Sequence, residues 1–468
     1  MSLQIYNSAA RCKEVFVPLD PENVRFYVCG PTVYNRIHIG NARPVVVFDL
    51  LFRLLQYLYP QVTYVQNITD VDDKIIAAAQ EKGVSVSDLT QHFIQAFHED
   101  THALNVCGPT IEPRATDHIS HMIKLIETLL EKGHAYIADG QVIFHVNSFT
   151  SYGFLSKRTV EELHAGARVE VGAYKKNPED FVLWKPSKGG EIGWQSPWGY
   201  GRPGWHIECS AMAREYLGPT FDIHGGGRDL IFPHHENERA QSHCSSDGLE
   251  CARYWMHNGH VVVEGKKMAK SLGNFIFLKD AIHQYGGEVV RYALLMAHYR
   301  QPLDWRQDTA EQARKSLDKL YTALKDFSYE GLSDPSYAAK NKGASFLYAP
   351  VQDALEDDLN TPLAFSHLHE LVGKIHKATQ QGEIEEKQKL QKSLLFTAQF
   401  MGLLTHTPQQ WFSHRAQLSP EEIEKIIGER EDARKHKDFK RADQLRQALL
   451  EEGVELEDGF QGTTWRTR

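Results

Sequence analysis

Short apolar segments alternate with helical patterns in the first part of this chain, and a polar loop follows each apolar segment. Segment 24–28 leads through such a loop into a helical pattern over 45–55. Segment 62–65 leads through Asn67-Ile68-Thr69-Asp70 into a helical pattern that starts at Asp72. This order predicts an α/β fold, in which helices cover a parallel sheet. Sheets of that kind bind ligands at the carboxyl ends of their strands.

The alternation stops in the middle of the chain and then resumes. A helical pattern at 118–132, a short strand pair and a stretch rich in Gly, Lys and Trp fill the gap, and alternation returns at Trp205. A further strand is predicted over 255–263. This order indicates a single α/β domain whose sequence is interrupted by an insertion.

Beyond Trp305 the pattern predicts helices. Leu317, Leu320, Tyr321 and Leu324 follow the spacing of a buried helical stripe. Residues 419–452 predict one charged helix, which a short hairpin follows. The predicted units are a split α/β domain at 1–115 and 199–255, an insertion at 116–198, a linking segment at 256–309, a helical bundle at 310–410 and a small α+β module at 411–468.

Composition narrows the classes of function. Hydrophobic residues make up 41% of the chain and charged residues 24%, which excludes fibrous and disordered proteins. The net charge of −9 argues against a surface that is basic throughout, although a local basic face can still bind nucleic acid. The six cysteines are scattered, and neither a signal peptide nor a membrane span is indicated. We therefore expect a cytoplasmic protein with reduced thiols and no membrane role.

Two loops carry residues suited to a nucleotide. At the first strand–helix junction, Gly40 allows close backbone approach, and His38 can donate a hydrogen bond to phosphate beside the helix N-terminus. The glycine-punctuated loop 264–274 carries Lys267 and Lys270, which can offset charge on a leaving pyrophosphate. Taken singly, the first is equally consistent with an ordinary connecting loop and the second with a solvated basic turn.

A third group has the donor types of a metal site. If a helix begins at Pro233, His234 and Glu238 lie on one helical face and can share an ion. Cys29 ends the first strand, and Cys209 can reach the same sheet edge. Sulfur, nitrogen and oxygen donors together favour zinc. The spacing alone leaves open two other interpretations, namely inert core thiols and a histidine pair that caps a helix.

Two of these motifs resemble those of a known enzyme class. His38-Ile39-Gly40-Asn41 and Lys267-Met268-Ala269-Lys270-Ser271 resemble the HIGH and KMSKS signatures of class I aminoacyl-tRNA synthetases, in the same order and with an insertion between them. Asn41 stands where the first signature has its second histidine, and Ala269 stands where the second has its first serine. The roles of those two side chains are therefore not carried over.

Four further segments resemble one family of that class, the cysteinyl-tRNA synthetases. They are residues 29–35, 67–74, 204–210 and 232–238. The resemblance covers essentially the whole chain and includes 442–446, 456–458 and 462–466 near its end. It implies a Rossmann-like class I catalytic domain with an insertion, then a helical bundle, then a C-terminal anticodon-binding module.

The resemblance also implies the site residues and cofactors. One zinc ion per chain is held by residues matching Cys29, Cys209, His234 and Glu238, and it binds the thiolate of substrate cysteine. The residues implied in catalysis are His38, Gly40, Asn41, Lys267 and Lys270, of which all but Asn41 also bind ATP, with Mg²⁺ as its escort. Our hypotheses for the substrate pocket are Thr69, Trp205, His206, His224, Asp229 and His235. Each of these histidines is equally consistent with a structural role.

The implied reaction joins L-cysteine to tRNA(Cys) through a cysteinyl-adenylate, in a monomer whose segment 256–309 contacts the tRNA stem. Three alternatives stay open. They are a ligase that joins activated cysteine to a small-molecule amine, a non-catalytic zinc and RNA-binding module, and a zinc hydrolase.

Overall fold

The elements of the chain are seen in a computed structural model. It describes residues 2–158, 174–268, 272–328, 347–413, 420–436, 438–451, 454–459 and 462–467. The strands are β1 (Gln4–Asn7), β2 (Cys12–Val15), β3 (Asn23–Val28), β4 (Gln61–Gln66), β5 (Ala135–Ala138), β6 (Gln141–Phe144), β7 (Phe181–Pro186), β8 (Gly201–Pro203), β9 (Phe221–Gly227), β10 (Ala252–Asn258), β11 (Val261–Val263), β12 (Lys266–Lys267), β13 (Leu303–Trp305), β14 (Val454–Gly459) and β15 (Gly462–Thr467). The helices are α1 (Ile39–Leu58), α2 (Asp73–Lys82), α3 (Val86–Ala103), α4 (Ile119–Glu131), α5 (Trp205–Leu217), α6 (Glu236–Ser245), α7 (Leu278–Tyr285), α8 (Gly287–Leu295), α9 (Gln307–Thr322), α10 (Ala349–Glu356), α11 (Thr361–Gln381), α12 (Ile384–Phe400), α13 (Pro408–Ser413), α14 (Pro420–Lys435) and α15 (Phe439–Glu451).

The central sheet has the strand order β10-β9-β3-β4, and every neighbouring pair is parallel. This confirms the predicted α/β fold. Both predicted strands of the opening segment are present, as β3 and β4. Consecutive residues of both strands are buried, namely 26–28 of β3 and 64–66 of β4, because the sheet is covered on both faces. Phe26 of β3, for example, is fully buried and stacks on Tyr64 of β4, with ring centroids 4.2 Å apart.

The insertion forms a second sheet. Strands β5, β6, β7 and β8 pair antiparallel in that order, and α4 precedes them. The predicted strand pair is therefore half of a four-stranded sheet, which extends to Pro203. Helix α5 begins two residues later, at Trp205, and returns the chain to the central sheet.

The prediction of one strand over 255–263 is wrong. β10 ends at Asn258, and β11 pairs instead with β12 and β13 in a separate sheet. The chain changes sheet at Gly259, whose backbone lies so close to Gln301 that an added Cβ would stand 2.4 Å from its carbonyl oxygen. Only a residue without a side chain fits there.

The helical part shares its core with the central sheet. Leu317, Leu320, Tyr321 and Leu324 are fully buried and belong to the same hydrophobic cluster as β3 and α1. The predicted stripe is therefore confirmed as a core surface. Within the described parts of the chain, no helix is long and apolar enough to cross a membrane.

The C-terminal module has a small core of its own, formed by Ile423, Ile427, Leu449, Val454 and Leu456. The single helix predicted over 419–452 is wrong, because the chain breaks into α14 and α15, which pack on each other. Asp438 causes the break by accepting the backbone N–H of Arg441 and starting α15. The predicted hairpin is present as β14 and β15.

Candidate active site

A cleft of about 420 Å³ opens at the carboxyl end of β3. The loop from Cys29 to Asn41 forms one side, and the crossing at Gly259 and His260 forms another. The predicted site residues that line it are Cys29, His38, Gly40, Asn41, Trp205, Asp229 and Lys267. The structure thus brings the nucleotide motif and part of the metal motif to one cavity.

His38 and Asn41 cap the N-terminus of α1 reciprocally. The His38 ring accepts a hydrogen bond from the Asn41 backbone N–H at 3.2 Å, and the Asn41 side chain accepts one from the His38 N–H at 3.3 Å. Such a capping box satisfies two N–H groups that a helix start leaves unpaired. Asn41, which departs from the family signature, therefore has a structural role that an amide supplies well.

The His38 ring is neutral near pH 7. Burial lowers its pKa, and the more distant Asp229 opposes this only in part. Because Nδ1 accepts from Asn41, the single proton of the neutral ring lies on Nε2. His38 can therefore donate a hydrogen bond from Nε2 to an oxygen in the cleft.

Gly40 lies in a tight contact between two loops. A Cβ added there would stand 2.8 Å from the tip of Met268 and 2.8 Å from the His38 ring. Met268 follows Lys267, which is exposed and lines the cleft. Lys270 and Ala269 lie outside the described residues, so the role assigned to Lys270 stays a prediction.

The four predicted metal donors meet at the floor of the cleft. Cys29 Sγ lies 3.7 Å from Cys209 Sγ and 3.3 Å from Glu238 Oε1. His234 Nε2 lies 3.0 Å from the same Glu238 oxygen. The donor atoms of all four are within 4.8 Å of one another, and Cys209, His234 and Glu238 are buried.

The donor set fits zinc in chemistry and in spacing. Two Zn–S bonds of about 2.3 Å at a tetrahedral angle hold their sulfurs about 3.8 Å apart, close to the separation of Cys29 and Cys209. Zn–N and Zn–O bonds of about 2.0–2.1 Å hold nitrogen and oxygen about 3.4 Å apart, against the 3.0 Å between His234 and Glu238. These four residues therefore fit zinc as its ligands.

A second set overlaps the first. His224 and His235, together with Cys29 and Glu238, also place their donor atoms within 4.8 Å of one another. His224 Nε2 lies 2.9 Å from Glu238 Oε2, and His235 is held at Nδ1 by His257 at 2.8 Å. The first set contains two thiols and the second only one, so the first suits a thiophilic ion better.

Charge is concentrated at this cluster. Burial alone would raise the pKa of Glu238, but His224 and His234 outweigh it and hold that pKa well below its usual range. Burial disfavours the charged ring of His234, yet Glu238 and Cys209 raise its pKa to about 10. Burial, aided by His234, lowers the pKa of His206 to about 3. Without a metal ion, the Glu238 carboxylate therefore stabilises the protonated His234 ring, and that proton must leave before His234 can bind zinc.

The remaining candidates for the substrate pocket fall into two groups, those at the cleft surface and those buried behind it. Trp205 is 38% exposed and stacks on His234 at 4.1 Å, so it covers the donor cluster on the cleft side. Asp229 is exposed at the cleft mouth. Thr69 lies behind the cleft surface, where it is 1% exposed and its hydroxyl donates to buried Glu208. His206, His224 and His235 also lie behind the cleft surface and surround the donor cluster.

Sequence reasoning missed two groups. Asn67 accepts the backbone N–H of Gly30 at 2.9 Å and lies 3.6 Å from Cys209 Sγ, so it supports the donor loop. Asn258, Gly259 and His260 line the cleft but fell inside the predicted strand. The polar residues His257-Asn258-Gly259-His260, with a glycine among them, are the signal that marks the break.

Comparison with known proteins decides the family. A model of the class I (C) catalytic domain of tRNA synthetases matches residues 15–315. A DALR domain matches 350–405, and the cysteinyl-tRNA ligase anticodon binding domain matches 417–466. A cysteine–tRNA ligase of Paramagnetospirillum magneticum is 54% identical over 469 residues, with 100% of each chain covered. The chain belongs to the cysteine–tRNA ligase family.

Other members of the cysteine–tRNA ligase family match to a similar extent. The cysteine–tRNA ligase of Rhodospirillum rubrum is 53% identical over 470 residues, again with 100% of each chain covered. Among solved structures, methionyl-tRNA synthetase of Mycobacterium tuberculosis with methionyl-adenylate has a TM-score of 0.57 at 15% identity, covering 81% of this chain and 89% of that one. A LeuRS ternary complex from Agrobacterium radiobacter also reaches 0.57, at 12% identity and 85% coverage of both chains. These two structures share the fold.

Proposed function

We propose that this chain is an ATP-dependent ligase that forms cysteinyl-adenylate and then transfers cysteine to tRNA(Cys). The observation that carries the proposal is the joint position of two motifs. The cluster of Cys29, Cys209, His234 and Glu238 lies at the floor of the cleft whose other side carries His38 and the N-terminus of α1. A thiol-binding group and a phosphate-binding group thus adjoin one cavity.

The donor cluster supplies the choice of amino acid. Zinc bound there would lower the pKa of a thiol and bond to sulfur far more strongly than to an alcohol. Cysteine and serine differ by one atom, and an apolar pocket separates such isosteres poorly. Trp205 covers the cluster from the cleft side and limits the room beside it. Asp229 at the cleft mouth is placed to attract the substrate ammonium.

The nucleotide side supplies the stabilisation of phosphate charge. The cysteine carboxylate attacks the α-phosphorus of ATP, and pyrophosphate leaves. His38 donates from Nε2, the first N–H groups of α1 attract phosphate, and Lys267 adds a positive charge at the cleft wall. We assign Lys270 the same task, and we expect Mg²⁺ to accompany ATP.

The second step uses the RNA. The terminal ribose hydroxyl of tRNA attacks the adenylate carbonyl, AMP leaves, and the cysteinyl ester remains. The match of residues 417–466 to an anticodon binding domain favours tRNA over a small-molecule amine as the acceptor. The presence of both His38 and Lys267 at the cleft argues against a non-catalytic binding module. A cytoplasmic monomer is the form in which we expect the enzyme to act.

ATP–pyrophosphate exchange tests this function. The zinc-loaded full-length chain should exchange pyrophosphate in the presence of L-cysteine and not in the presence of L-serine. Exchange with both amino acids would contradict the role of the thiol-binding cluster. Absence of exchange with cysteine would contradict the ligase assignment.

A further inference from the structure

A second cavity lies beside the active-site cleft, and none of the steps proposed above for activation uses it. Its volume is about 560 Å³, and Arg11, Arg158, Arg228 and Arg300 line it. We call this cavity the arginine basin. Asp229 borders both cavities, so the basin adjoins the mouth of the cleft.

Three of these arginines carry charge that is available to a ligand. Arg11, Arg158 and Arg228 are exposed, and none of them forms an ion pair with an acidic side chain in the part of the chain that the structure describes. Arg300 differs, because it pairs with Asp358 at 2.8 Å. In a chain with a net charge of −9, three such arginines around one cavity form a local anion-binding surface.

The basin also contains aromatic rings. Tyr6 and Phe232 line it, with the Arg300 guanidinium 4.4 Å from the Tyr6 ring centroid and that of Arg158 5.4 Å from the Phe232 centroid. Arginines beside aromatic rings are the usual means of binding single-stranded nucleic acid, because phosphates pair with the former and bases stack on the latter. Free phosphate needs no such rings.

The floor of the basin connects to the donor cluster. His257 lines the basin and contacts His235 at 2.8 Å, and His235 Nε2 lies 3.3 Å from Cys29 Sγ. Two side chains therefore separate the basin from a thiol at the cleft floor. Because Asp229 borders both cavities, a polymer held in the basin would lie beside the mouth of the cleft.

We propose that the arginine basin binds the single-stranded 3′ segment of tRNA and guides its terminal ribose into the cleft. The proposal rests on the function proposed above, since it assigns a binding surface to the second substrate. It predicts that the basin contributes to RNA affinity and contributes nothing to adenylate formation.

The first test combines Arg11→Gln, Arg158→Gln and Arg228→Gln in the full-length chain. We expect the KM for tRNA(Cys) in cysteinylation to rise on the order of tenfold, and the slope of log KM against log salt to fall by about 2, since each lost single-strand phosphate contact removes about 0.7. Cysteine-dependent pyrophosphate exchange should stay within about twofold, which also shows that the variant folds. The control replaces exposed Lys82, Lys124 and Lys389 with Gln and should leave the KM within about twofold.

A second variant tests the aromatic contribution. Tyr6→Leu should raise the KM for tRNA(Cys) about fivefold or more, because base stacking is lost. Tyr6→Phe keeps the ring and should keep the KM.

Several outcomes would overturn the proposal. These are an unchanged KM for tRNA(Cys) in the triple variant with exchange intact, or an equal rise in the lysine control. A changed dependence of exchange on pyrophosphate, with an unchanged KM for tRNA(Cys), would assign the basin to free pyrophosphate. If the unaltered chain shows no exchange, the proposed function fails, and direct titration of labelled tRNA(Cys) against the unaltered and triple-variant chains still decides the basin.

Discussion

Cys209 is a buried donor of the proposed zinc site, and its sulfur lies 3.7 Å from that of Cys29. Replacing it with serine exchanges a soft donor for a hard one. Cys209→Ser should lower bound zinc well below about one ion per chain and weaken cysteine binding at least tenfold. Metal analysis and cysteine-dependent exchange measure the two effects. Cys12→Ser, at an exposed cysteine, is the matched control and should change neither. Full zinc content in Cys209→Ser would remove this residue from the ligand set.

Gly40 is a residue whose role depends on having no side chain. Its added Cβ would press on the His38 ring at 2.8 Å and displace the group that donates to phosphate. Gly40→Ala should lower kcat/KM for ATP about tenfold, equivalent to about 1.4 kcal/mol. The control is Gly373→Ala. Gly373 lies in the middle of α11, and no atom stands within 4 Å of the added Cβ. That control should raise the free energy of unfolding by about 0.5–1 kcal/mol and keep activity. Normal ATP kinetics in Gly40→Ala would contradict the close-approach argument.

Arg43 joins two elements that form opposite sides of the cleft. It is fully buried in α1, and its guanidinium donates to the carbonyls of Gly259 at 2.9 Å, His260 at 3.1 Å and Gln301 at 2.7 Å. It also donates to the carbonyl of His298 at 3.1 Å, and burial lowers its pKa to about 10. The start of α1 is thereby tied to the crossing between β10 and β11.

Arg43→Met tests this connection between elements. Loss of the guanidinium leaves the buried carbonyl of Gln301 without its donor, whereas the carbonyls of Gly259, His260 and His298 keep another one. The free energy of unfolding should therefore fall by about 2 kcal/mol. The KM for ATP should rise as well, because Gly259 and His260 line the cleft. Denaturant unfolding and exchange kinetics measure these changes. Arg306→Met, at an exposed arginine beside Asp304, should leave the unfolding midpoint nearly unchanged. Equal stability in both variants would show that Arg43 does not hold the two elements together.

At the scale of the whole molecule, the C-terminal module can be separated from the main core. Its buried residues Ile423, Ile427, Leu449, Val454 and Leu456 form a cluster distinct from that of the sheet and bundle. A cut near residue 310 would instead remove bundle residues that complete the main core. The module therefore offers a cleaner truncation.

A chain that ends at Ser413 should keep cysteine-dependent exchange within about twofold and lose most of its tRNA(Cys) charging, since affinity for the RNA falls with the lost contact surface. Exchange and charging assays on the same preparation give the two numbers. The full-length chain is the control. Charging at full efficiency without the module would refute its role in RNA binding.

Much of the secondary structure could be predicted from local sequence patterns. The apolar segments that became β3 and β4 are recognisable because a sheet covered on both faces requires continuous apolar strands. The stripe from Leu317 to Leu324 is recognisable because a helix buries every third or fourth residue. The prediction failed at two places. At Gly259 the valines that follow made one long strand the natural interpretation, although the chain changes sheet there. At Asp438 the charged residues on both sides fitted a single helix, although a new helix starts there.

The sequence by itself determined the kinds of donor and the loops that carry them, because His38, Cys29 and the Pro233-His234 segment lie in recognisable local motifs. Only the tertiary structure decided which of them meet. Cys29 and Cys209 are 180 residues apart, and their sulfurs come within 3.7 Å because the helix α5, which carries Cys209, packs against β3, which Cys29 follows. The arginine basin has the same origin, since Arg11 and Arg300 share no local pattern. Contacts of that range depend on packing of the whole chain, which no local spacing encodes.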